Sequence, residues 1–196
     1  MSEPLARIAR ILQPIRDEDA RGPQFTTDRG TLAHNPGVAD IVAVPSAASL
    51  EQCQRIVQTA ESLTSTGGRI PRHDETRWIY ELAAQIFERA NQKFRFRVVG
   101  IIEEVVVGAY APTGNPAWQV DIAHNSTANR KLSLSLLLTG SGGTNDACLE
   151  FAGRDVPSAA AGTAIVYPSL LAHRVNPLRA EPRAALVAFA YGPTFE

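Results

Sequence analysis

Five polar side chains in the second half of this chain have the types and spacing to act together. Asp121 stands in "PAWQVDIAHN" (Pro116–Asn125), with Gln119 two residues before it. Residues two apart on a strand point to one side, so Gln119 and Asp121 share a face. His173 follows in "YPSLLAHRVNP", Arg183 stands ten residues further on, and Tyr110 closes the apolar run that precedes the Trp–Gln–Val–Asp segment. A histidine two residues before a strand carboxylate, joined by a distant histidine, makes the two-His-one-carboxylate face that holds Fe(II) with open positions. Gln119 occupies the place of the first of those histidines. An arginine nearby would offer a planar fork to a dicarboxylate.

Taken singly, each residue has a plainer use. A lone Asp at a strand end commonly caps a turn. His173 could be a satisfied core or surface histidine, and Arg183 one end of a weak surface pair. Tyr110 and Trp118 would ordinarily be core aromatics. His124 lies three residues from Asp121, on the opposite face or beyond the strand end, which argues against it as a ligand. His34 and His73 fall in polar loops and are expected to face solvent.

The elements that must position these residues divide the chain in two. Leu5, Ile8, Leu12 and Ile15 form one face of a short amphipathic helix over residues 3–15, and Asp17–Gly37 reads as a loop-rich connection. "DIVAVP" reads as a strand. Ser49 with Gln52 makes a capping box that opens a helix through Leu50, Cys53, Val57 and Ala60. Ser65–Thr76 is a loop, and a long helix follows with Trp78, Leu82, Ile86 and Ala90 at four-residue spacing. From Phe96 the helical period disappears. "FRVVGIIEEVVVGAY", "WQVDI", "KLSLSLLL", "CLEF", "GTAIVYP" and "RAALVAFAY" read as short strands separated by turns. Helices followed by many short strands predict an α+β chain with a sandwich or barrel core and helices on one outer face. In "KLSLSLLL", Ser133 and Ser135 alternate with leucines, so one face of that strand is polar and suited to line a cavity.

The ordered set resembles the Fe(II)/2-oxoglutarate dioxygenases of the prolyl-4-hydroxylase-like (PKHD-type) family. The residues that carry the likeness are "YAPTGNPAWQVD", "RKLSLSLLL", "CLEF" and "GTAIVYPSLLAHRVNPLRAEPRAALVAFAYGP", with "TRWIYELAAQIFERANQKF" as the helix before the barrel. The "YPSLLAHRVNP…R" block is the specific part, and the likeness spans roughly residues 38–193. It implies a double-stranded β-helix (jelly-roll) with N-terminal supporting helices, forming one domain over residues 1–196. By the same resemblance Asp121, His173 and Gln119 are the metal and catalytic positions. Arg183 would grip the 5-carboxylate of 2-oxoglutarate, with Tyr110, Ser133 and Ser135 also on the co-substrate side. Fe(II), 2-oxoglutarate and O2 are the implied cofactors, and hydroxylation of an amino acid, peptide or small natural-product substrate the implied activity. Retention of Asp121 speaks against halogenation, which in such proteins follows loss of the carboxylate.

Two features depart from the family pattern. Gln119 replaces the first metal histidine, and Asp146 and Ala147 replace paired glycines before "LEF". A glutamine amide oxygen is a weaker, neutral donor than imidazole. Gln119 is open to three readings: a native altered metal site, an engineered replacement that slows turnover, or a mark of a non-catalytic relative that binds 2-oxoglutarate or a small ligand. Arg174 and Trp118 either line the site or simply pack.

Composition narrows the classes. A hydrophobic content of 44% with 20% charged residues is that of an ordinary soluble globular protein. The net charge of −1 and scattered arginines give no nucleic-acid footprint and no membrane-seeking surface. No signal-type or membrane-length apolar run is seen, so cytoplasmic residence is expected. Cys53 and Cys148, far apart, read as free thiols rather than a disulfide. Oligomeric state is left open.

Overall fold

The computed structural model describes residues 40–63, 66–110, 117–140, 149–156, 159–175 and 183–193. Helix α1, Leu50–Ser62, starts where the Ser49 side chain accepts from the Gln52 N–H and the Gln52 side chain accepts from the Ser49 N–H. This capping box satisfies two donors that a helix start leaves open. Helix α2, Arg77–Phe94, buries Ile79, Leu82, Ala83, Ile86, Phe87 and Ala90 along one stripe. It stops at Arg95 in the left-handed region, with φ 57°.

Nine short strands make two antiparallel sheets among the described residues: β1 Val42–Val44, β2 Arg69–Ile70, β3 Gly100–Ile101, β4 Val105–Tyr110, β5 Arg130–Leu137, β6 Leu149–Phe151, β7 Ala164–Pro168, β8 His173–Val175 and β9 Arg183–Tyr191. The large sheet runs β1-β7-β5-β9-β4-β2, with β3 also paired to β9; the small sheet is β6-β8. Strand β5 decides how the layers divide. Leu132, Leu134 and Leu136 are fully buried on the face toward the helices, where they pack with Ile79, Ile86, Phe94, Val105 and Leu186. Each such side chain contributes about 1.5–3 kcal/mol of burial. Ser133 and Ser135 point the other way, between the sheets, and sit opposite Tyr167 and Ile165 of β7. That second layer is closed by Leu149 and Phe151 of β6 and by Val175 of β8. The result is a jelly-roll sandwich with two helices on the outer face of its large sheet.

Several sequence expectations are met and several are corrected. Both helices from residue 50 onward and the strands β1, β4, β5, β6, β7 and β9 lie where the pattern placed them. "WQVDI" is not a strand: it forms a single bridge, Gln119 opposite His173. The loop that follows it bonds to itself, so no ladder develops on that side. His173, a few residues beyond β7, opens the short strand β8, and the 65–76 loop contains the two residues of β2. The helix over 3–15, the connection 17–37, His34, Asp146, Ala147 and Cys148 lie outside the described residues. Cys53 is a buried free thiol on α1, and burial pushes its pKa up. No described helix is long and apolar enough to cross a membrane.

Candidate functional site

Gln119 and His173 exchange both backbone hydrogen bonds, Gln119 N to His173 O at 2.8 Å and His173 N to Gln119 O at 2.9 Å. A pair bonded this way points both side chains to one face. Asp121, two residues on, is held by its N–H donating to Ser169 O at 2.9 Å. Ser169 is a buried hub: its N–H donates to Lys131 O, and its hydroxyl accepts from Ser133 Oγ at 2.9 Å. The turn at Pro168–Ala172 is therefore fastened both to β5 and to the Asp121 segment.

On the far side of Asp121 the loop bonds to itself. Asn125 Oδ1 accepts from the Thr127 N–H and hydroxyl, and Thr127 Oγ1 accepts from the Ala123 N–H. An Asx turn of this kind replaces a ladder with local bonds. Arg130, at the start of β5, then reaches back: its Nη1 donates to Asp121 O at 2.9 Å, and its Nε donates to Glu103 Oε1 at 2.7 Å. Tyr191 Oη also donates to Glu103, and the Arg130 guanidinium lies 3.7 Å from the Phe189 ring centroid. Lys131, beside it, is buried along Gly192, and loss of water lowers its pKa.

The side chains brought together are Gln119, Asp121, His173 and Tyr167. His173 is buried, and its Nδ1 donates to Leu171 O at 2.9 Å, which leaves the Nε2 lone pair facing the other three. From Nε2 the distances are 3.7 Å to Asp121 Oδ2, 3.5 Å to the Gln119 amide nitrogen and 3.3 Å to Tyr167 Oη. Tyr167 Oη donates to Asp121 Oδ2 at 3.2 Å. Gln119 is exposed while His173 is buried, so the cluster opens to solvent on the Gln119 side. Asp121 and His173 suit a divalent ion as a carboxylate and an oriented imidazole. The Gln119 amide, turned over, presents its oxygen at the same point. Among the described residues no three His, Cys, Asp or Glu side chains cluster, because the third position here is an amide.

Arg183, Ser133 and Ser135 are buried in the same interior. Arg183 is buried at the head of β9, on the face shared with Ala185, which lies opposite Leu137. Its guanidinium fits against Gly140, where an added Cβ would lie 2.8 Å from Cζ. Tyr110 pairs with Arg183 across β4 and β9. Ser133 and Ser135 are buried on this inner face, Ser133 directly opposite Tyr167. Trp118 and Arg174 are turned to the other side of the Gln119–His173 pair and pack on each other at 4.7 Å, with Arg174 bonded to Glu150. His124 and His73 are exposed and take no part in the cluster.

Tyr167, Ser169 and Arg130 were not singled out by the sequence reading. The first two stand in the quoted "YPS", whose Tyr signals an inward-facing phenol only once the register of β7 is known.

No protein-family model matches the chain, and no curated protein matches it. Solved structures do. A prolyl-4-hydroxylase of Pseudomonas putida aligns with a TM-score of 0.61 at 16% identity, over 79% of this chain and 89% of that one. A viral collagen prolyl hydroxylase from Paramecium bursaria Chlorella virus 1 aligns with a TM-score of 0.59 at 13% identity, over 81% and 94%. The non-heme alpha-ketoglutarate-dependent epimerase SnoN from nogalamycin biosynthesis gives 0.54 at 12% identity, over 83% and 84%. At these identities the likeness is one of fold.

Proposed function

We propose that this chain is an Fe(II)- and 2-oxoglutarate-dependent oxygenase that hydroxylates an unactivated C–H of an amino acid, peptide or small natural-product substrate. The observation that carries the reading is the convergence of Gln119, Asp121 and His173 on one point. The buried Arg183 opens β9 on the same interior face. The fold neighbours point the same way: two are prolyl hydroxylases and one an alpha-ketoglutarate-dependent epimerase.

In this reading Asp121 and His173 hold the metal, with the Gln119 amide oxygen as a third, weaker donor. The metal, with 2-oxoglutarate and O2, would supply the oxidising power for C–H hydroxylation while the co-substrate goes to succinate and CO2. The chain's own contribution is positioning. Leu171 O fixes the His173 tautomer, Ser169 and Arg130 pin the backbone on either side of Asp121, and Arg183 receives the distal carboxylate of the co-substrate as a fork. Ser133 and Ser135 would line the co-substrate space, with Tyr110 placed beside Arg183 by the pairing of β4 and β9. The open Gln119 side is where a substrate carbon enters.

A second reading, a jelly-roll protein that binds 2-oxoglutarate or a small ligand without turnover, is favoured by one observation, the amide at position 119. Adding Fe(II) and then 2-oxoglutarate without air separates the two. The oxygenase gives a weak visible charge-transfer band and releases succinate when air enters; a binding protein holds 2-oxoglutarate and releases none. The variant Gln119→His is expected to bind Fe(II) at least about 10-fold more tightly, in line with the effect of metal-shell changes. Unchanged affinity and turnover in that variant would show that residue 119 does not face the metal.

A further inference from the structure

Tyr167 has no part in the site as assembled from Gln119, Asp121 and His173, yet its hydroxyl lies closer to the other donors than some of them lie to each other. It is 3.2 Å from Asp121 Oδ2 and 3.3 Å from His173 Nε2, while those two are 3.7 Å apart. Nitrogen and oxygen donors bound at about 2.0–2.2 Å to one ion stand roughly 3.0 Å apart at right angles and roughly 3.5 Å apart at tetrahedral angles. The Tyr167 separations, 3.2 and 3.3 Å, fall in this range and the 3.7 Å between Asp121 and His173 lies just above it, while the Gln119 amide group stands 3.5 Å from His173 Nε2.

The phenol is also held there. Its ring stands edge-on to Phe151, with centroids 4.8 Å apart at 75°, and lies 4.9 Å from the His173 ring. Strand β7 is paired on both sides, by β1 and β5, so the backbone that carries Tyr167 has little freedom to withdraw it. A phenol oxygen is a hard donor that serves iron in other proteins. It would compensate for the neutral amide at the third position.

We infer that Tyr167 supplies a fourth protein donor, its phenol oxygen, to the metal held by Asp121, His173 and Gln119, its proton passing to solvent as the ion binds. The inference rests on the metal-binding part of the proposed function. It makes this a four-residue site in which the exchange of imidazole for amide is accompanied by an added oxygen ligand.

The test is a titration of the full chain with ferric iron, followed by visible absorption. A phenol bound to Fe(III) gives a broad phenolate-to-metal band, whereas a phenol that only hydrogen-bonds a ligand gives none. The band is expected in the unaltered protein and absent in Tyr167→Phe. That variant should also bind Co(II) at least about 10-fold more weakly by calorimetry. Iron binding without the band, or a band that survives in folded Tyr167→Phe, overturns the inference and leaves Tyr167 as a hydrogen-bond donor to Asp121.

If Tyr167→Phe does not fold, Tyr110→Phe decides. The chain has four tyrosines. Tyr80 donates to Ile70 O and Tyr191 to Glu103, so a band kept in Tyr110→Phe assigns the donor to Tyr167 and a band lost overturns it. Succinate release without the band keeps the oxygenase and discards the fourth donor. The band without succinate keeps the donor and discards the oxygenase, and an unaltered protein that binds no metal discards both.

Discussion

The role given to Arg183 can be tested without touching Arg183. Gly140 has φ +118°, and a Cβ built there would meet Cζ and Nη1 of Arg183 at 2.8 Å and Nε at 3.1 Å. Carbon contacts settle at about 3.5–4.0 Å, so Gly140→Ala pushes the guanidinium aside by roughly 0.7–1.2 Å. The group struck is the far end of a long side chain, so the clash is relieved by moving it, not by unfolding the strand. The stability cost is then mainly the unfavourable backbone angle, about 1–3 kcal/mol. A fork displaced by about 1 Å no longer meets both oxygens of a carboxylate, and misplacements of that size cost up to about 100-fold. The expected result is a 2-oxoglutarate Kd raised about 10- to 100-fold, or about 1.4–2.7 kcal/mol, by calorimetry on Mn(II)-loaded protein. Gly67→Ala is the control: φ is +62° and nothing lies within 4 Å, so it carries backbone strain with no effect on binding. A folded Gly140→Ala with unchanged 2-oxoglutarate affinity refutes Arg183 as the co-substrate clamp.

Arg130→Met removes the bridge between Glu103 and the Asp121 carbonyl. The pair is 14% and 27% exposed, so the loss should approach the about 3–5 kcal/mol of a broken buried pair, read by urea denaturation. A loss under about 1 kcal/mol would reduce the bridge to a surface ion pair. Lys131 is buried and its folded pKa is lowered from 10.5 by loss of water, so as the pH rises from the folded value toward 10.5 the unfolded chain holds more protons than the folded one. Stability contributed by this group therefore rises with pH across that window and is flat below it. In melting curves from pH 7 to 10.5 the wild type should gain on Lys131→Met as the pH rises; a difference that stays constant over that range contradicts the burial effect.

What was legible in the sequence was what local rules govern. The capping box at Ser49 and Gln52, the stripe of α2 and the Leu/Ser alternation of β5 each state a geometry within a few residues, and each appears as read. The "WQVDI" segment was misread because alternation describes a strand's faces but not whether a ladder forms beside it. Here the Asn125 turn draws the chain away after one bridge. Tyr167, Ser169 and Arg130 were missed for a related reason. Their partners, Asp121, Ser133 and Glu103, lie 9 to 46 residues away along the chain and are chosen by strand register and loop path. A short window does not contain that choice. A register shift of one residue in β7 would turn Tyr167 to the helix side and leave the alternation pattern unchanged.

The same distinction between backbone and side chain makes position 119 interpretable. The bridge to His173 uses only the N–H and C=O of residue 119, groups that every residue except proline provides. Pairing and side-chain direction at this point are therefore set independently of whether the residue is an amide or an imidazole. The neighbouring anchors, Ser169 to Asp121 and Arg130 to the Asp121 carbonyl, do not involve the side chain of residue 119 either. A Gln119→His exchange thus alters the donor at a fixed place, with the face, the strand pair and the two retained donors unchanged. A shift in metal affinity in that variant reports the chemistry of the donor set, and a fall in stability much above about 1 kcal/mol would mean that the amide has a packing role which its exposed position does not suggest.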